Sequence, residues 1–498
     1  MKLYTPKNGK YNLVMAYPAI EEFALASLGY LWLYKIADTF DGINAIMMST
    51  DNIDNYREIN SIAFSISFDF DYIGVLNILE KLNIPFLSKD RGEECPIIFA
   101  GGPVITTNPK PYEVFFDFMI LGDGEEVFEK VLEILKQGFN KKQTLNMLSE
   151  IEGIYIPGMQ KSQKATVKLD NIIFSSILSD KSYFKKTFII ELTRGCMNRC
   201  AFCTASYLNL PFRYYNYEKI IKTIEFGLKY TNKIALLGAQ ISAHPKFKNI
   251  MSYINNKIDC GLNIELGISS LRTDSITSET IKTLVKGGQK HSTIAIEAAS
   301  ERLRKVINKN LKEDQILNAI KISRENGLKG LKIYSMIGIP SETEEDINEF
   351  LNLAKKIKKE NKGFNIEFSF STFVPKPQTP LQWSKREDTK SLEKKQKYLE
   401  KELSKLGIQS KYSSAKWDYW QTVLSRSDET IAPLLIDVYK NGGKLGSYKS
   451  ALKKYNINIS KSINGFNFDE NLPWDFIETT ITKNHLINEY NRLAKYMQ

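Results

Sequence analysis

Cys196, Cys200 and Cys203 stand within eight residues, in the run Glu191-Leu192-Thr193-Arg194-Gly195-Cys196-Met197-Asn198-Arg199-Cys200-Ala201-Phe202-Cys203. The spacing CxxxCxxC puts three thiolates on one short loop, where each can hold one iron of a cubane cluster. Three protein ligands leave the fourth iron open to a ligand from outside the chain. The rival chemistry is structural zinc, which wants four closed ligands, usually in paired clusters. No Cys or His follows Cys203 until His244, so a zinc site lacks its fourth ligand locally. Cys95 and Cys260 are isolated and read as ordinary core or strand-end thiols. Five cysteines in 498 residues make no disulfide framework.

Something must position that loop, and the apolar runs around it say what. Thr187–Leu192 reads as a strand ending just before the cysteines. Further strand patterns follow at Lys233–Leu237, Ile264–Ile268, Ser292–Ile296, Leu331–Met336 and Ile366–Phe373, with helical patterns between them. Six such units predict a partial (β/α)6 barrel, whose site-building rim lies at the carboxyl ends of its strands. Upstream, strand patterns at Asn12–Ala16, Ile43–Met47, Ser61–Ile66, Pro96–Ala100 and Phe118–Leu121 alternate with helical ones at Ala24–Ala37, Ile73–Leu82 and Glu125–Lys136. That alternation predicts an α/β, doubly wound, Rossmann-like unit over residues 1–157. Gly101-Gly102-Pro103 and Gly122-Asp123-Gly124-Glu125 fall just past strand ends, where such a sheet binds ligands. Residues 158–186 are polar and rich in Lys and Ser, and read as a linker to the barrel of 187–383. Beyond Trp383 the strand signal fades, Ser391–Leu406 reads as a charged helix, and 384–498 reads as a small, mainly helical C-terminal domain.

Composition adds limits. Hydrophobic residues make up 43% and charged residues 25%, ordinary for a globular protein with a sizeable core. No uncharged apolar run is long enough to span a bilayer, so no membrane insertion is expected. The first ten residues lack the apolar segment of a signal peptide, and a cytoplasmic location is expected. The net charge of +11 comes from 56 Lys and 12 Arg that are scattered, which indicates a solvated basic surface and not a nucleic-acid site.

The cysteine motif with Phe202 resembles that of the radical S-adenosylmethionine (SAM) superfamily. Three later segments are similar to that family's strands and turns. They are Ile294-Ala295-Ile296-Glu297-Ala298-Ala299-Ser300-Glu301-Arg302-Leu303-Arg304 with Val306–Lys309, Met336-Ile337-Gly338-Ile339-Pro340-Ser341-Glu342-Thr343, and Phe373-Val374-Pro375-Lys376-Pro377-Gln378-Thr379-Pro380. Leu28-Gly29-Tyr30 and the turns at Gly102 and Gly122 make 1–157 resemble the cobalamin-binding-type domain fused to one subgroup, and Val374–Trp383 with Leu472-Pro473-Trp474-Asp475 resemble a bacterial branch of it.

The resemblance implies a [4Fe-4S] cluster on Cys196, Cys200 and Cys203, and reductive cleavage of SAM to a 5′-deoxyadenosyl radical. By position it implies SAM contacts from Gly238 and Ala239, although the usual Gly-Gly-Glu reads Leu237-Gly238-Ala239-Gln240 here, and from Phe202, Glu297 and Arg304. Gly102 and Gly122 would then face cobalamin. Residues 1–150 hold no His to bind cobalt, so a corrinoid held without a protein nitrogen and a bare scaffold both stand. His244, His291 and His485 read as satisfied polar residues. The implied activity is radical modification of an unknown substrate, including cobalamin-dependent methylation. The alternatives are cobalamin-independent modification of RNA, protein or a small molecule, and a non-catalytic iron–sulfur sensor or assembly protein. An electron donor such as a flavodoxin or ferredoxin is implied as partner. The segment after Ser384 is expected to cover the open barrel, with Trp417, Asp418, Trp420, Arg426, Asp428, Trp474 and Asp475 available to a polar substrate.

Overall fold

Alternation of side chains builds the first sheet. Strands β1 (Tyr11–Tyr17), β2 (Ile43–Ser49), β3 (Ser61–Ser65), β4 (Ile97–Gly101) and β5 (Phe118–Ile120) turn successive residues to opposite faces. Leu13, Met15, Ala63 and Phe99 enter one apolar layer, while Val14, Ala16, Ile62 and Ile98 enter the other. The computed structural model describes residues 1–54 and 58–497. The strands run parallel in the order β2-β1-β3-β4-β5, and β6 (Ile154–Tyr155) closes the edge antiparallel to β5. In this doubly wound order, ligands bind beyond the carboxyl ends of β1 and β3, where the winding reverses. Helices Leu28–Thr39 and Glu125–Leu135 cover the first layer.

The second layer shows what the mainly helical C-terminal segment packs against. Helix Tyr72–Lys81 covers only part of it. The rest is covered by Trp420, Leu434, Tyr448 and Trp474, which share one core with β1, β3 and β4. The end of the chain is therefore no separate helical domain with its own core. Trp420 packs 4.7 Å from the ring of Tyr448, and the Tyr448 hydroxyl meets that of Tyr72 at 2.7 Å. Trp420→Ala should cost about 3–5 kcal/mol. Denaturant unfolding should show a single transition at lower midpoint, since sheet and C-terminal helices are one core.

The segment 158–186, expected as a linker, is also packed. It carries β7 (Ser162–Gln163), and Ala165, Val167, Ile172, Ile173, Ser175 and Ser176 are buried along it. Its polar residues misled because many of them are the exposed alternates of a half-buried extended chain.

The barrel strands are β8 (Phe188–Arg194), flanked by the short antiparallel β9 (Arg213–Tyr214), then β10 (Lys233–Gly238), β11 (Glu265–Ile268), β12 (His291–Glu297), β13 (Gly330–Ile337) and β14 (Asn365–Thr372). Two four-stranded sheets, β11-β10-β8-β9 and β12-β13-β14-β15, share one apolar core and touch through the parallel bridge Leu271–Ile294. β15 (Gln409–Tyr412) comes from the C-terminal segment and adds a seventh parallel strand beside β14. A final short strand, β16 (Ile477–Glu478), pairs with β7.

The turn after β13 shows how local chemistry ties these parts. Thr343 and Asp346 form a reciprocal cap that starts helix Glu344–Glu360. Glu342 accepts from Gly338 N at 2.7 Å and from Lys395 Nζ at 2.8 Å, anchoring helix Thr389–Lys405 on the barrel rim. Burial, opposed by Lys395, pushes the Glu342 carboxyl up to about 7. Among the described residues no helix is long and apolar enough to cross a membrane.

Candidate functional site

Backbone geometry fixes the cysteine loop before any ligand does. Gly195 has φ +79°, and a Cβ there would strike the carbonyl of Asn209. Cys203 N donates to Cys200 O at 3.0 Å, Ala201 N to Ile307 O at 2.9 Å, and Leu381 N to Ala201 O at 3.2 Å. Tyr207 Oη and Asn308 Nδ2 both donate to the carbonyl of Arg199, at 2.9 and 2.8 Å. None of these bonds uses a thiol. Phe202 joins the apolar cluster of Ala201, Ala298, Ile307, Met336 and Phe373, which seats the loop on the barrel mouth.

The thiols themselves lie free of disulfides, with Cys196 and Cys200 buried and Cys203 half-buried. Burial, countered in part by Lys309, pushes the Cys200 thiol up to about 12, and burial raises Cys203 as well. Thiolates at such positions need a cationic metal to exist at neutral pH. Among the described residues no three His, Cys, Asp or Glu side chains gather closely enough to hold a single metal ion. A cubane spreads its thiolates over separate irons, so this donor set fits a cluster. Cys260 is exposed at the end of helix Phe247–Asp259, which corrects its reading as a core or strand-end thiol.

Around the loop, the other expected site residues divide. Glu297 ends β12 at a break in strand register, with φ +64°, and accepts from Lys309 Nζ at 3.1 Å. Among the described residues, Thr193 on β8 carries a buried hydroxyl without a partner; Ser335, the register partner of Glu297, shares the face of Leu331, Ile333 and Ile337 that packs on the helices. The orphaned hydroxyl of Thr193, near the end of β8, is what a polar ligand at the barrel mouth would satisfy. Gly238 lies against β8, where a Cβ would strike Thr193 Oγ1, so close strand packing already requires a glycine there. Ala239 is exposed. Gln240, passed over as part of a degenerate motif, is the residue of that run that reaches a cysteine, with Oε1 3.4 Å from Cys196 Sγ.

Arg304 is corrected outright. Its guanidinium is buried and donates to the carbonyls of Leu311, Ala298 and Ala299 at 2.6, 3.0 and 2.5 Å respectively. A fork spent on closing its own loop is not free for a carboxylate. Lys309, five residues on, is the cation beside both Glu297 and Cys200. His244 is satisfied, its two ring nitrogens meeting Tyr215 O and Lys246 N. The residues expected to contact substrate are committed elsewhere. Arg426 donates to Ser384 O and Gln382 O, Trp474 to Gln382 Oε1, and Asp418 accepts from Thr372 and Ser413. Asp428 caps Thr430, and Asp475 accepts from Leu472 N and Lys483.

The first sheet meets the loop through charge. Arg194, one residue before Gly195, pairs with Asp123 at 3.0 Å, Glu125 at 2.7 Å and Glu191 at 2.8 Å, and Arg213 pairs with Asp123 at 2.6 Å. Burial alone would raise the Asp123 carboxyl, but Arg194 and Arg213 override it and hold it below the usual range. Above this network lies a cavity of about 350 Å³, mostly apolar, at the carboxyl ends of β1, β3, β4 and β5. Gly102 and Gly122 both line it. Each has positive φ and a carbonyl where a Cβ would sit, of Ile66 and Ala165 respectively.

Comparison with known proteins places these features. Residues 190–354 match the family model described as the radical SAM superfamily, and residues 25–157 match that of radical SAM proteins, N-terminal. An uncharacterized protein of Methanocaldococcus jannaschii is 31% identical over 452 residues, covering 89% of this chain and 94% of the relative. An uncharacterized methyltransferase of Pyrococcus horikoshii is 24% identical over 344 residues, covering 63% and 69%. The solved structure of the radical SAM methyltransferase TsrM from Kitasatospora setae, with cobalamin and a [4Fe-4S] cluster bound, superposes with a TM-score of 0.54. It is 12% identical, over 74% of this chain and 73% of that one, and so shares the fold.

Proposed function

This chain belongs to the radical SAM superfamily, whose members use a [4Fe-4S] cluster and SAM, and from that premise we propose a cobalamin-assisted radical methyltransferase. Cys196, Cys200 and Cys203 hold the cluster in this reading, and Glu297 with Lys309 bind the polar end of SAM. When bound and reduced, the cluster supplies the electron that cleaves SAM to methionine and a 5′-deoxyadenosyl radical. The protein's part is to seat the thiolates, orient the ligand and keep water out. The buried hydroxyl of Thr193 would give SAM a fixed hydrogen-bond partner. Met197 and Arg199 are the exposed residues of the cysteine loop, and an external donor such as a flavodoxin or ferredoxin would deliver its electron across them.

The cavity over the first sheet is the single observation that carries the corrinoid part of the reading. Its walls are mostly apolar, it stands at the switch point of a doubly wound sheet, and the Asp123–Arg194 pair in its lining links it to the cysteine loop. At about 350 Å³ it would take a portion of a corrinoid and not the whole. No His lines it, so cobalt would carry no nitrogen from its walls. Hydroxocobalamin added during anaerobic reconstitution should co-elute with the chain on gel filtration. Paramagnetic resonance of the cobalt(II) form should lack nitrogen superhyperfine structure from a protein ligand. Absence of retained corrinoid would remove the methyl-transfer reading and leave cobalamin-independent radical modification.

A further inference from the structure

A second cavity lies where all parts of the chain meet. About 140 Å³ is lined by Ser67–Asp69 after β3, Pro103, Val104, Thr107 and Asn108 after β4, Thr204 next to Cys203, Lys376 after β14, and Gln421 on helix Ala415–Arg426. It shares Ser67 and Pro103 with the larger cavity over the sheet. Asp69 is buried in its wall, and Asp69 Oδ2 accepts from Lys376 Nζ at 3.1 Å and from Gln421 Nε2 at 2.9 Å. Lys376 and Gln421 stand 307 and 352 positions from Asp69 along the chain. A largely buried ion pair adds little stability over an apolar filling of the same space. Placed on a cavity wall beside the cysteine loop, it has a better use.

We propose that this cavity binds the head group of a free α-amino acid, the ammonium on Asp69 and the carboxylate between Lys376 Nζ and Gln421 Nε2. The proposal rests on the reading above, in that a substrate must lie near the cysteine loop. The wall offers one anion, one cation and one amide donor, which matches a zwitterion. The next acid, Asp71, is bound to the N–H groups of Ser67 and Phe68 at 2.7 and 2.8 Å and is not available. A purely anionic ligand would face Asp69, and a purely cationic one would face Lys376. Binding a zwitterion exchanges the two contacts on Asp69 Oδ2 for three, from the ammonium to Asp69 and from Lys376 and Gln421 to the carboxylate. The volume suits the ammonium, α-carbon and carboxylate, and the shared Ser67–Pro103 wall leads the side chain toward the larger cavity.

Titration calorimetry of the full chain with the proteinogenic L-amino acids, each beside its N-acetyl and amide derivatives, tests this. At least one free amino acid should bind saturably, and either derivative should bind roughly 10-fold or more weakly. Asp69→Asn and Lys376→Met should each weaken that amino acid to a similar degree. Gln421→Leu, at a half-buried position, should weaken it less and guards against a variant that merely unfolds. Binding by none of the free amino acids, or binding that survives acetylation and both charge substitutions, overturns the proposal. Amino-acid binding by a chain that takes up no cluster would instead overturn the radical SAM reading and leave this site standing.

Discussion

A chain with Cys196, Cys200 and Cys203 all changed to Ala takes up no cluster iron, yet folds. The unaltered chain, reconstituted anaerobically, should hold about four irons and absorb broadly in the visible. The variant should lose both, because in the proposed ligand set each thiolate would be its iron's bond to the protein. Folding should survive because the loop is held by backbone bonds, from Cys203 N to Cys200 O and Ala201 N to Ile307 O, that Ala retains. Removing each buried sulfur should cost about 1 kcal/mol. Cys260→Ser, exposed at a helix end, is the matching control and should leave iron content unchanged. Iron retained by the triple variant, or zinc as the only metal in the parent, contradicts the ligand set.

The second large effect belongs to Glu297. Its carboxylate sits at the broken register of β12 with Lys309 as its partner, on a different strand from the cysteines. A hydrogen bond between charged groups contributes about 1.5–3 kcal/mol, so Glu297→Ala should weaken SAM binding about 10- to 100-fold. The visible spectrum of the cluster should not change. Lys309→Met should weaken SAM as well, since it removes the cation nearest Glu297 and Cys200. Equilibrium dialysis with labelled SAM reads both variants. Unchanged affinity in Glu297→Ala would refute its role.

Much of this was legible in the sequence, for physical reasons that can be named. The cysteine spacing is a ligand pattern independent of fold, and Gly195 beside it is required by the turn it makes. Strands such as β1 and β13 were legible because buried parallel strands read as nearly continuous apolar runs. β15 was not, since Gln409-Ser410-Lys411-Tyr412 is polar and becomes a strand only by pairing with the edge of β14. The C-terminal segment misled for a related reason: amphipathic helices show that they bury a face but not against what. Here the partner is a sheet formed some three hundred residues earlier. Arg304 was misjudged because sequence gives the charge of a residue and not where its donors are spent. Only the structure shows Arg304 bound to three carbonyls of its own loop.

One measurement reaches the centre of the account. The reconstituted chain is mixed anaerobically with dithionite and SAM, and 5′-deoxyadenosine and methionine are followed by mass spectrometry. Both should accumulate together, slowly without substrate, and neither should form with the triple cysteine variant. A fully loaded cluster that releases no 5′-deoxyadenosine under these conditions would contradict the radical SAM activity proposed for this chain.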